Sequence, residues 1–559
     1  MKKLMTTMLP IMLTILLIGC GQNAEEKQLN DFINKHVEKV KPLSKEVNLA
    51  YWQAATTGND EDYQKYSELD LELRQIYSNS EDFTYLQEMK RSEKIHDATL
   101  TRQLNVLYNN YLENQIEPEL LKEIVQLGAE VEKKFSTFRG TIKGQEVTDN
   151  QIKEILKEEI ASSERKEAWL ASKQVGTVVA EDIIKLVQLR NEAARKLGFD
   201  NYHTLSLTTA EQSKEQLDQI FNDLYELTNE PFNQLKNELD SILAEMYRTD
   251  PSLLMPWHYH DPFFQETPLV YELNLDQFYV DQDVKELASN FYAGLGLPVD
   301  SILAVSDLYE REGKNPHAFC MDVDREGDVR ILCNLKNNEY WMETMLHELG
   351  HGVYDKYQNP EISYLLRRPA HIFTTEAIAM FFGRLSRNAS WMQSMLGLSD
   401  AQRSEIDRIS TKYAQLKQLI FARWAMVMYD FEKELYANPD QDLNALWWQM
   451  VNKYQFVNKP EGRDAPDWAA KIHFAIAPCY YHNYLLGELL ASQLHHYMVQ
   501  NVLNNKSNQN INYVDQKQIG QYLRNNVFEA GALYTWNEMI ERTTGESLNP
   551  AYFVEQFVK

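Results

Sequence analysis

The segment 345–354, M-L-H-E-L-G-H-G-V-Y, restricts what this chain can fold into more than any other stretch. In an α-helix, residues four apart share one face, so His347 and His351 would point in the same direction. Two imidazoles at this spacing suit two positions of a tetrahedral zinc ion, and Glu348 between them is placed to accept a proton from a water molecule. The alternative is a helix with two structural histidines. With 13 histidines in 559 residues, such a pattern arises by chance only about 0.02 times.

A third metal ligand is expected on the next helix. Asn337 or Asn338 can cap the helix that carries the motif. The segment 374–380, T-T-E-A-I-A-M, is typical of the start of a second helix, and Glu376 follows the second histidine by 25 residues, enough for a loop and a return to the metal. Because the chain has 82 acidic residues, Glu376 by itself would be weak evidence for a third ligand. The candidate ligands of one zinc ion are His347, His351 and Glu376, and the family resemblance described next implies the same glutamate.

Segments on both sides of the motif resemble the angiotensin-converting-enzyme family of gluzincin zinc peptidases and, more distantly, the thimet-oligopeptidase family. They are the T-E-A segment, with one residue more than the converting-enzyme spacing, N-P-H-A-F-C at 315–320, L-W-W-Q-M-V-N-K-Y-Q at 446–455 and D-W-A-A-K-I-H-F at 467–474. The likeness covers roughly residues 190–490. It implies a zinc peptidase that releases C-terminal dipeptides or acts as an oligopeptidase.

The resemblance also implies roles for residues around the peptide. His317 would contact the substrate along a strand, and His473 would donate a hydrogen bond toward the tetrahedral intermediate. Lys471 would face the C-terminal carboxylate of the substrate, and Gln265, in D-P-F-F-Q, resembles the glutamine that assists the lysine.

The segment P-C-Y-Y-H-N-Y at 478–484 resembles the tyrosine-bearing helix of the family without aligning cleanly. Tyr481 and Tyr484 reproduce the three-residue spacing of the carboxylate-binding and oxyanion-stabilising tyrosines, but both lie one position later relative to His473. Tyr480 is an alternative. The three rings could instead form an aromatic stripe in the core.

A second departure from the family concerns a residue that orients a zinc histidine. In the converting enzyme an aspartate lies four residues beyond the third ligand, and Met380 occupies that position here. Since a hydrogen-bond acceptor usually fixes the tautomer of a ligating histidine, another group must do so. Asp355, on the motif helix, is one candidate.

Helical periodicity dominates the chain before residue 247 and after about residue 370, whereas residues 301–335 form the only persuasive strand region. One apolar stripe consists of Leu217, Ile220, Phe221, Leu224 and Leu227. The pattern predicts a mostly α-helical single domain over 25–559, with a small β element beside the motif helix. The resemblance implies the large helical gluzincin fold, with two lobes around a deep central channel that admits only short peptides.

The N-terminus predicts a lipoprotein signal peptide over 1–19. A charged start is followed by an apolar run and by L-I-G-C, which resembles a bacterial lipobox. Cleavage before Cys20 and lipidation of its sulfur would leave a tether over 20–24. An uncleaved anchor and a plain secretory signal are the alternatives. We expect a protein outside the cytoplasm that contacts the membrane only through this lipid.

Cys320 and Cys333 flank a predicted hairpin. The midpoint between them falls on the Glu326–Gly327 peptide bond, where a two-residue turn would place them directly opposite each other. A disulfide is therefore geometrically possible, and an oxidising compartment would permit it. Facing thiols can also remain reduced.

The net charge of -26 argues against a nucleic-acid partner, which requires a basic surface. The expected partners are short peptides, and a monomer is expected. Two further functions compete with the peptidase of the converting-enzyme type. One is a peptide-binding lipoprotein without catalysis, and the other is a zinc oligoendopeptidase of the thimet type.

Overall fold

The computed structural model describes residues 23–271, 273–505 and 511–558, and most of these residues lie in α-helices. Five helices precede the first hairpin: α1 (Ala24–Thr57), α2 (Asp60–Tyr77), α3 (Ser80–Arg91), α4 (Ala98–Glu113) and α5 (Pro118–Thr137). The two hairpins are β1 (Gly140–Ile142) with β2 (Gln145–Val147), and β3 (Phe319–Asp322) with β4 (Val329–Leu332).

Between the hairpins lie α6 (Asp149–Glu158), α7 (Ser162–Lys196), α8 (Tyr202–Thr209), α9 (Lys214–Tyr247), α10 (Asp276–Tyr279), α11 (Val284–Gly294) and α12 (Asp300–Leu303). The remaining helices are α13 (Glu339–Lys356), α14 (Ile372–Gly383), α15 (Ala389–Leu396), α16 (Asp400–Ala437), α17 (Leu443–Gln455), α18 (His473–Ile476), α19 (His482–Tyr497), α20 (Lys517–Leu523), α21 (Trp536–Thr544) and α22 (Ala551–Phe557). The predicted mostly α-helical fold with a small β element beside the motif helix is confirmed, but hairpin β1–β2 lies outside residues 301–335, the only region predicted to form strands.

One large apolar core runs through most of the chain, from Val131 on α5 to Val554 on α22. Long helices supply it because each buries one apolar stripe against its neighbours. The motif helix α13 lies inside this core, between α11, α14 and the hairpin β3–β4. The motif is therefore held by buried packing on several sides rather than carried on a surface helix.

The first helices form a second, smaller core and lie against the β3–β4 hairpin. Leu29, Leu86 and Leu104 pack together between α1, α3 and α4. Near the C-terminal end of α1, Trp52 clusters with Leu332 of β4. The N-terminal helices are thus joined to the hairpin that flanks the motif helix.

The register of the β3–β4 hairpin contradicts the predicted pairing of the two cysteines. Cys320 lies opposite Ile331, Cys333 follows the end of β4, and both thiols are free. The turn is wider than two residues because the carboxylate of Asp324 accepts hydrogen bonds from two backbone N–H groups within it, at 2.9 and 3.2 Å. The prediction that the cysteines face each other, and the disulfide that it allowed, are therefore wrong.

The predicted signal peptide and the lipidation site Cys20 lie outside the described residues. Within the described ranges, the structure contains no helix that is both long and apolar enough to span a membrane.

Candidate active site

The motif helix α13 begins at a conventional cap. Asn338 is its N-cap, and its side-chain oxygen accepts a hydrogen bond from the backbone N–H of Trp341 at 3.0 Å. His347 lies nine residues after this cap, and His351 follows it by one helical turn. Their Nε2 atoms are 3.3 Å from each other. Both rings therefore offer the same nitrogen to a common point.

Glu376 on α14 completes the group. Its Oε2 atom lies 3.7 Å from Nε2 of His347 and 3.9 Å from Nε2 of His351, and each residue offers one ligand atom within 4.8 Å of the others. Tetrahedral zinc with bonds of about 2.0–2.1 Å holds its ligand atoms roughly 3.4 Å apart. Burial lowers the pKa of His347 to about 4, so the ring is neutral as a metal ligand requires. The three side chains fit a zinc ion without rearrangement.

Two glycines let the helices that carry the site approach closely. A Cβ atom on Gly350 of α13 would lie 2.7 Å from Cα of Ala379 on α14. A Cβ atom on Gly487 of α19 would lie 3.3 Å from Cβ of Glu376. Only glycine allows the two helices to come this close, because a Cβ atom 2.7 Å from Cα of Ala379 would overlap it. The contact between the backbones of α13 and α14 brings the carboxylate of Glu376 within reach of the histidines.

A threonine orients the second histidine. Nδ1 of His351 lies 2.7 Å from Oγ1 of Thr375, the residue before the third ligand. Since Nε2 must be unprotonated to bind a metal, Nδ1 carries the proton and donates it to the hydroxyl. The suggestion that Asp355 does this is wrong. Its carboxylate accepts a hydrogen bond from Gln358 instead, at 3.1 Å.

Glu348 is buried beside the metal ligands. Its side chain is 7% exposed, and burial, followed by the charge of Glu376, raises its pKa to about 8. A backbone hydrogen bond from Cys320 on strand β3 opposes this rise. A carboxylate with a pKa near neutrality is suited to accepting and returning a proton.

An open cavity of about 620 Å³ adjoins the metal ligands. This volume lies within the usual range for sites that bind small molecules and peptides. His347 is part of its wall, so the cavity reaches the metal group. Four of the predicted site residues also line it: Gln265, His473, Tyr481 and Tyr484.

Lys471 lies behind Gln265, which lines this cavity. Nζ of Lys471 donates a hydrogen bond of 2.6 Å to Oε1 of Gln265, although the two residues are 206 positions apart in the chain. Burial lowers the pKa of Lys471 to about 8, and the charge of Asp261 opposes this shift. Asp261 also holds the loop in place, because its carboxylate accepts hydrogen bonds from the backbone N–H groups of Phe263, Gln265 and Glu266.

The structure separates the candidate tyrosines by their surroundings. The hydroxyl of Tyr481 accepts a hydrogen bond of 2.7 Å from Nε1 of Trp424, and its ring lies 5.3 Å from the ammonium of Lys471. Tyr484 also lines the cavity, and its pKa is raised by burial and by the charge of Glu376. The ring of Tyr480 packs on that of Tyr484, with centroids 5.2 Å apart. Tyr481 is therefore beside the lysine, whereas the charge of Glu376 reaches both Tyr480 and Tyr484, of which Tyr484 lines the cavity.

Comparison with known proteins agrees with this geometry. The family model described as angiotensin-converting enzyme, Peptidase_M2, matches residues 23–256 and 262–557. This chain belongs to the angiotensin-converting enzyme family of peptidases. The resemblance predicted from the motif segments is thereby confirmed. Zinc is expected at His347, His351 and Glu376, because the members of this family are zinc peptidases.

Individual relatives in the family are distant. An angiotensin-converting enzyme from Theromyzon tessulatum is 23% identical over 282 residues, which are 48% of this chain and 45% of the relative. An angiotensin-converting enzyme-related protein from Drosophila melanogaster is 23% identical over 298 residues, 50% of this chain and 47% of the relative. The alignments thus span about half the length of these curated relatives.

His317 is the site residue with the weakest structural support. It precedes β3, its side chain is exposed, and its backbone N–H donates to Oδ1 of Asn315 at 2.9 Å. Within the part of the chain that the structure describes, His317 is not one of the residues that line the cavity. Its role as a substrate contact, drawn from the family resemblance, remains a prediction.

Several charged residues of the cavity wall escaped the sequence analysis. Arg384 on the segment after α14 pairs with Glu488 on α19 at 2.6 Å, and Lys417 on α16 lies 3.4 Å from Glu343 on α13. These pairs join helices that are far apart in sequence, and no local pattern marks them. Thr375 was also missed, although its position next to Glu376 was visible.

Proposed function

We propose that this protein is a zinc-dependent peptidase that hydrolyses peptide bonds in short peptides. The observation that supports the proposal most strongly is the convergence of His347, His351 and Glu376, with Glu348 buried beside them and an open cavity in front. Family membership supports the same chemistry. A protein that only binds peptides would have no need of a general base next to a complete set of metal ligands.

The residues of the site divide the reaction between them. When bound, zinc supplies Lewis acidity toward a water molecule and toward the scissile carbonyl. Glu348 accepts a proton from the attacking water and later delivers it to the leaving amine. The water attacks directly, so no covalent acyl-enzyme forms.

Two hydrogen-bond donors face the developing negative charge on the carbonyl oxygen. We assign this role to Tyr484, because it lines the cavity close to Glu376, and to His473 on α18. Loss of one such donor typically costs about 100- to 1,000-fold in rate. Both side chains are held by helices of the core, so they are in place before the substrate arrives.

The other end of the substrate is held at Lys471. We propose that its ammonium and the amide of Gln265 bind the C-terminal carboxylate, and that Tyr481 lines this position. A free C-terminus at that point would direct cleavage to the peptide bond that releases a C-terminal dipeptide. An oligoendopeptidase would not require this carboxylate.

Metal analysis combined with a cleavage assay tests the proposed function. We expect the purified protein to contain one zinc ion per chain and to cleave members of a short-peptide library. A chelator should abolish cleavage and added zinc should restore it. Cleavage that persists without metal would refute the mechanism, and stoichiometric zinc with no cleavage of any peptide would favour a binding protein. The cleavage positions distinguish dipeptide release from internal cleavage.

We also propose that the protein acts outside the cytoplasm, anchored through a lipid on Cys20. The lipobox-like L-I-G-C supports this location. Expression of the full chain with Cys20→Ser should move the protein from the membrane fraction to the soluble or precursor fraction. An unchanged distribution would contradict the anchor.

A further inference from the structure

The segment between His473 and Tyr481 cannot hold its shape by helical hydrogen bonds alone. Helix α18 has a single turn, and a helix this short is marginal on its own. The chain then passes through Pro478, which has no N–H to donate to the carbonyl of Phe474. Cys479 follows with φ 56°, a left-handed conformation that is uncommon for a residue with a side chain. Such a conformation persists only where surrounding contacts hold it.

Arg190 on α7 supplies donors to the carbonyl groups of this segment. Its guanidinium donates a hydrogen bond of 3.1 Å to the carbonyl oxygen of Phe474 and one of 2.6 Å to that of Ala475. A third, of 3.2 Å, goes to the hydroxyl of Tyr436 on α16. The planar guanidinium can serve several acceptors in a fixed geometry. The end of α18 is therefore held at a defined distance from α7.

Glu432 on α16 holds the other end of the segment. Its Oε1 atom accepts a hydrogen bond of 2.8 Å from the backbone N–H of Cys479. In a continuous helix this N–H would donate to the carbonyl of Ala475, which Arg190 serves instead. The side chains of Arg190 and Glu432 are both buried. Two core helices thus fix the same short segment, one through its carbonyl oxygens and the other through an N–H.

His473 depends on this segment because its ring has no hydrogen bond at the buried nitrogen. In the described part of the chain, Nδ1 of His473 has no hydrogen-bond partner. The ring packs on that of Tyr481, with centroids 5.1 Å apart. The backbone of α18 and the contact with Tyr481 therefore set where the imidazole lies, and these two features flank the residues that Arg190 and Glu432 hold.

We propose that Arg190 and Glu432 are positioning residues, which set the location of the His473 imidazole at the metal site. Among the described residues, those that line the cavity include neither of them, so they act through the backbone rather than on the substrate. The inference rests on the proposed peptidase function, in which His473 donates to the oxyanion. A misplacement of about 1 Å can cost about 100-fold in rate, so these two contacts matter to turnover.

A double-mutant cycle between Arg190 and His473 tests the proposal. Arg190→Met keeps the length of the side chain but removes its donors, and we expect kcat to fall about 10- to 100-fold with KM within about threefold of wild type. In a His473→Ala protein, the same substitution should lower kcat by about twofold or less, because the two residues act as a unit. Equal losses in both backgrounds would overturn the proposal.

Substitutions of Glu432 provide the conservative comparison. Glu432→Leu should behave like Arg190→Met, whereas Glu432→Gln keeps an acceptor oxygen for the N–H of Cys479 and should retain most of the wild-type kcat. If both variants are as active as wild type, Glu432 has no positioning role. Should Arg190→Met fail to fold, Arg190→Lys takes its place in the cycle, because one ammonium cannot reproduce the planar fork, and the same outcomes decide.

Arg165 offers a matched control on the same helix. Its buried guanidinium also donates to two backbone carbonyl oxygens, those of Trp257 at 2.8 Å and Glu159 at 2.7 Å. These carbonyls lie outside the segment that follows His473. Arg165→Met should therefore lower stability but leave kcat unchanged. A loss of kcat equal to that of Arg190→Met would indicate a general effect of removing a buried arginine and would overturn the proposal.

Histidine NMR reads the position of His473 without catalysis. In the zinc-loaded protein with histidine isotopically labelled at Cε1, the signal of His473 is the one that disappears in His473→Ala. This signal should shift in Arg190→Met and Glu432→Leu, while that of His36, which contacts Tyr111 in the second core, should not. An unshifted His473 signal would overturn the inference even if the protein cleaves peptides. A shifted signal in a protein that cleaves no peptide would retain the positioning and refute the peptidase.

Discussion

Nδ1 of His351 and Oγ1 of Thr375 are 2.7 Å apart, and this contact links the motif helix to the helix of the third ligand. It fixes both the ring orientation of His351 and the nitrogen that is available to a metal. The resemblance implies that an aspartate has this kind of role in the converting enzyme, at the position that Met380 occupies here. A neutral hydroxyl from the residue before the third ligand acts on His351 here.

Replacement of Thr375 by valine should weaken zinc binding. Valine has nearly the same shape but no hydrogen-bond acceptor, and loss of such an outer partner typically costs about 10- to 100-fold in metal affinity. Thr375→Ser retains the hydroxyl and should remain close to wild type. Competition with a chromogenic chelator measures both variants. If the valine variant binds zinc as tightly as wild type, Thr375 does not orient the ligand.

Replacement of Glu348 by glutamine should abolish peptidase activity without removing zinc. Glutamine cannot accept the proton, and general base catalysis contributes about 100- to 10,000-fold in rate. Steady-state kinetics on a fluorogenic peptide, together with the zinc content by mass spectrometry, gives both quantities. Glu361→Gln, in the exposed loop after α13, is the control. Near-normal turnover of the Glu348 variant would exclude this residue from the mechanism.

The two cavity tyrosines should affect different kinetic constants. Tyr484→Phe should lower kcat by about 100- to 1,000-fold, because it removes a donor to the developing oxyanion. Tyr481→Phe should act mainly on KM, since Tyr481 lies beside Lys471 and not beside the metal ligands. A fall in kcat for Tyr481→Phe, with Tyr484→Phe unaffected, would reverse the assignment.

Recognition of a free C-terminus should depend on pH through Lys471. Burial lowers the pKa of Lys471 to about 8. The ammonium is therefore mostly charged below pH 8 and mostly neutral above it. The charged fraction falls about tenfold between pH 7 and pH 9, so KM for a peptide with a free carboxylate should rise by about this factor. The C-terminally amidated peptide should be a poor substrate at both values.

Lys471→Gln is the control for this pH effect. It should have a raised KM for the free peptide that no longer changes between pH 7 and pH 9. Equal cleavage of the free and amidated peptides by the wild-type protein would instead indicate an oligoendopeptidase.

Alanine at Gly350 should destabilise the protein and weaken zinc binding. The added methyl group meets the backbone of α14 at 2.7 Å, and overpacking of this kind typically costs about 1–3 kcal/mol in the free energy of unfolding. Gly128→Ala, on α5, is the matched control because its Cβ would have no neighbour within 4 Å. It should raise stability by about 0.5–1 kcal/mol. Urea denaturation measures both, and a stable Gly350→Ala protein with normal zinc affinity would contradict the close packing.

The family resemblance and the metal group could be predicted from sequence because their signals are local. His347 and His351 share a face of α13 as a consequence of helix geometry alone, and Asn338 marks the start of that helix. Glu376 was predicted from its position within a segment that resembles the family. The basic residues Lys471 and His473 were identified in the same way.

The cysteine prediction failed because strand register is not a local property. Counting from Cys320 and Cys333 to a midpoint assumes a two-residue turn, and the side chain of Asp324 produces a wider one. The prediction of Asp355 failed for a related reason. Asp355 lies on the motif helix, as the sequence showed, but the hydroxyl of Thr375 on another helix contacts His351.

By itself the sequence determined the helical fold class, the pair of histidines with their intervening glutamate, and the family. The fold class and the histidine pair depend on contacts within one or two turns of a helix, and the family is recognised from short sequence segments. Only the tertiary structure decided which tyrosine lies beside Lys471 and which hydroxyl orients His351. Each of these contacts joins residues on different elements, and the distance between them is set by how closely the buried helices pack.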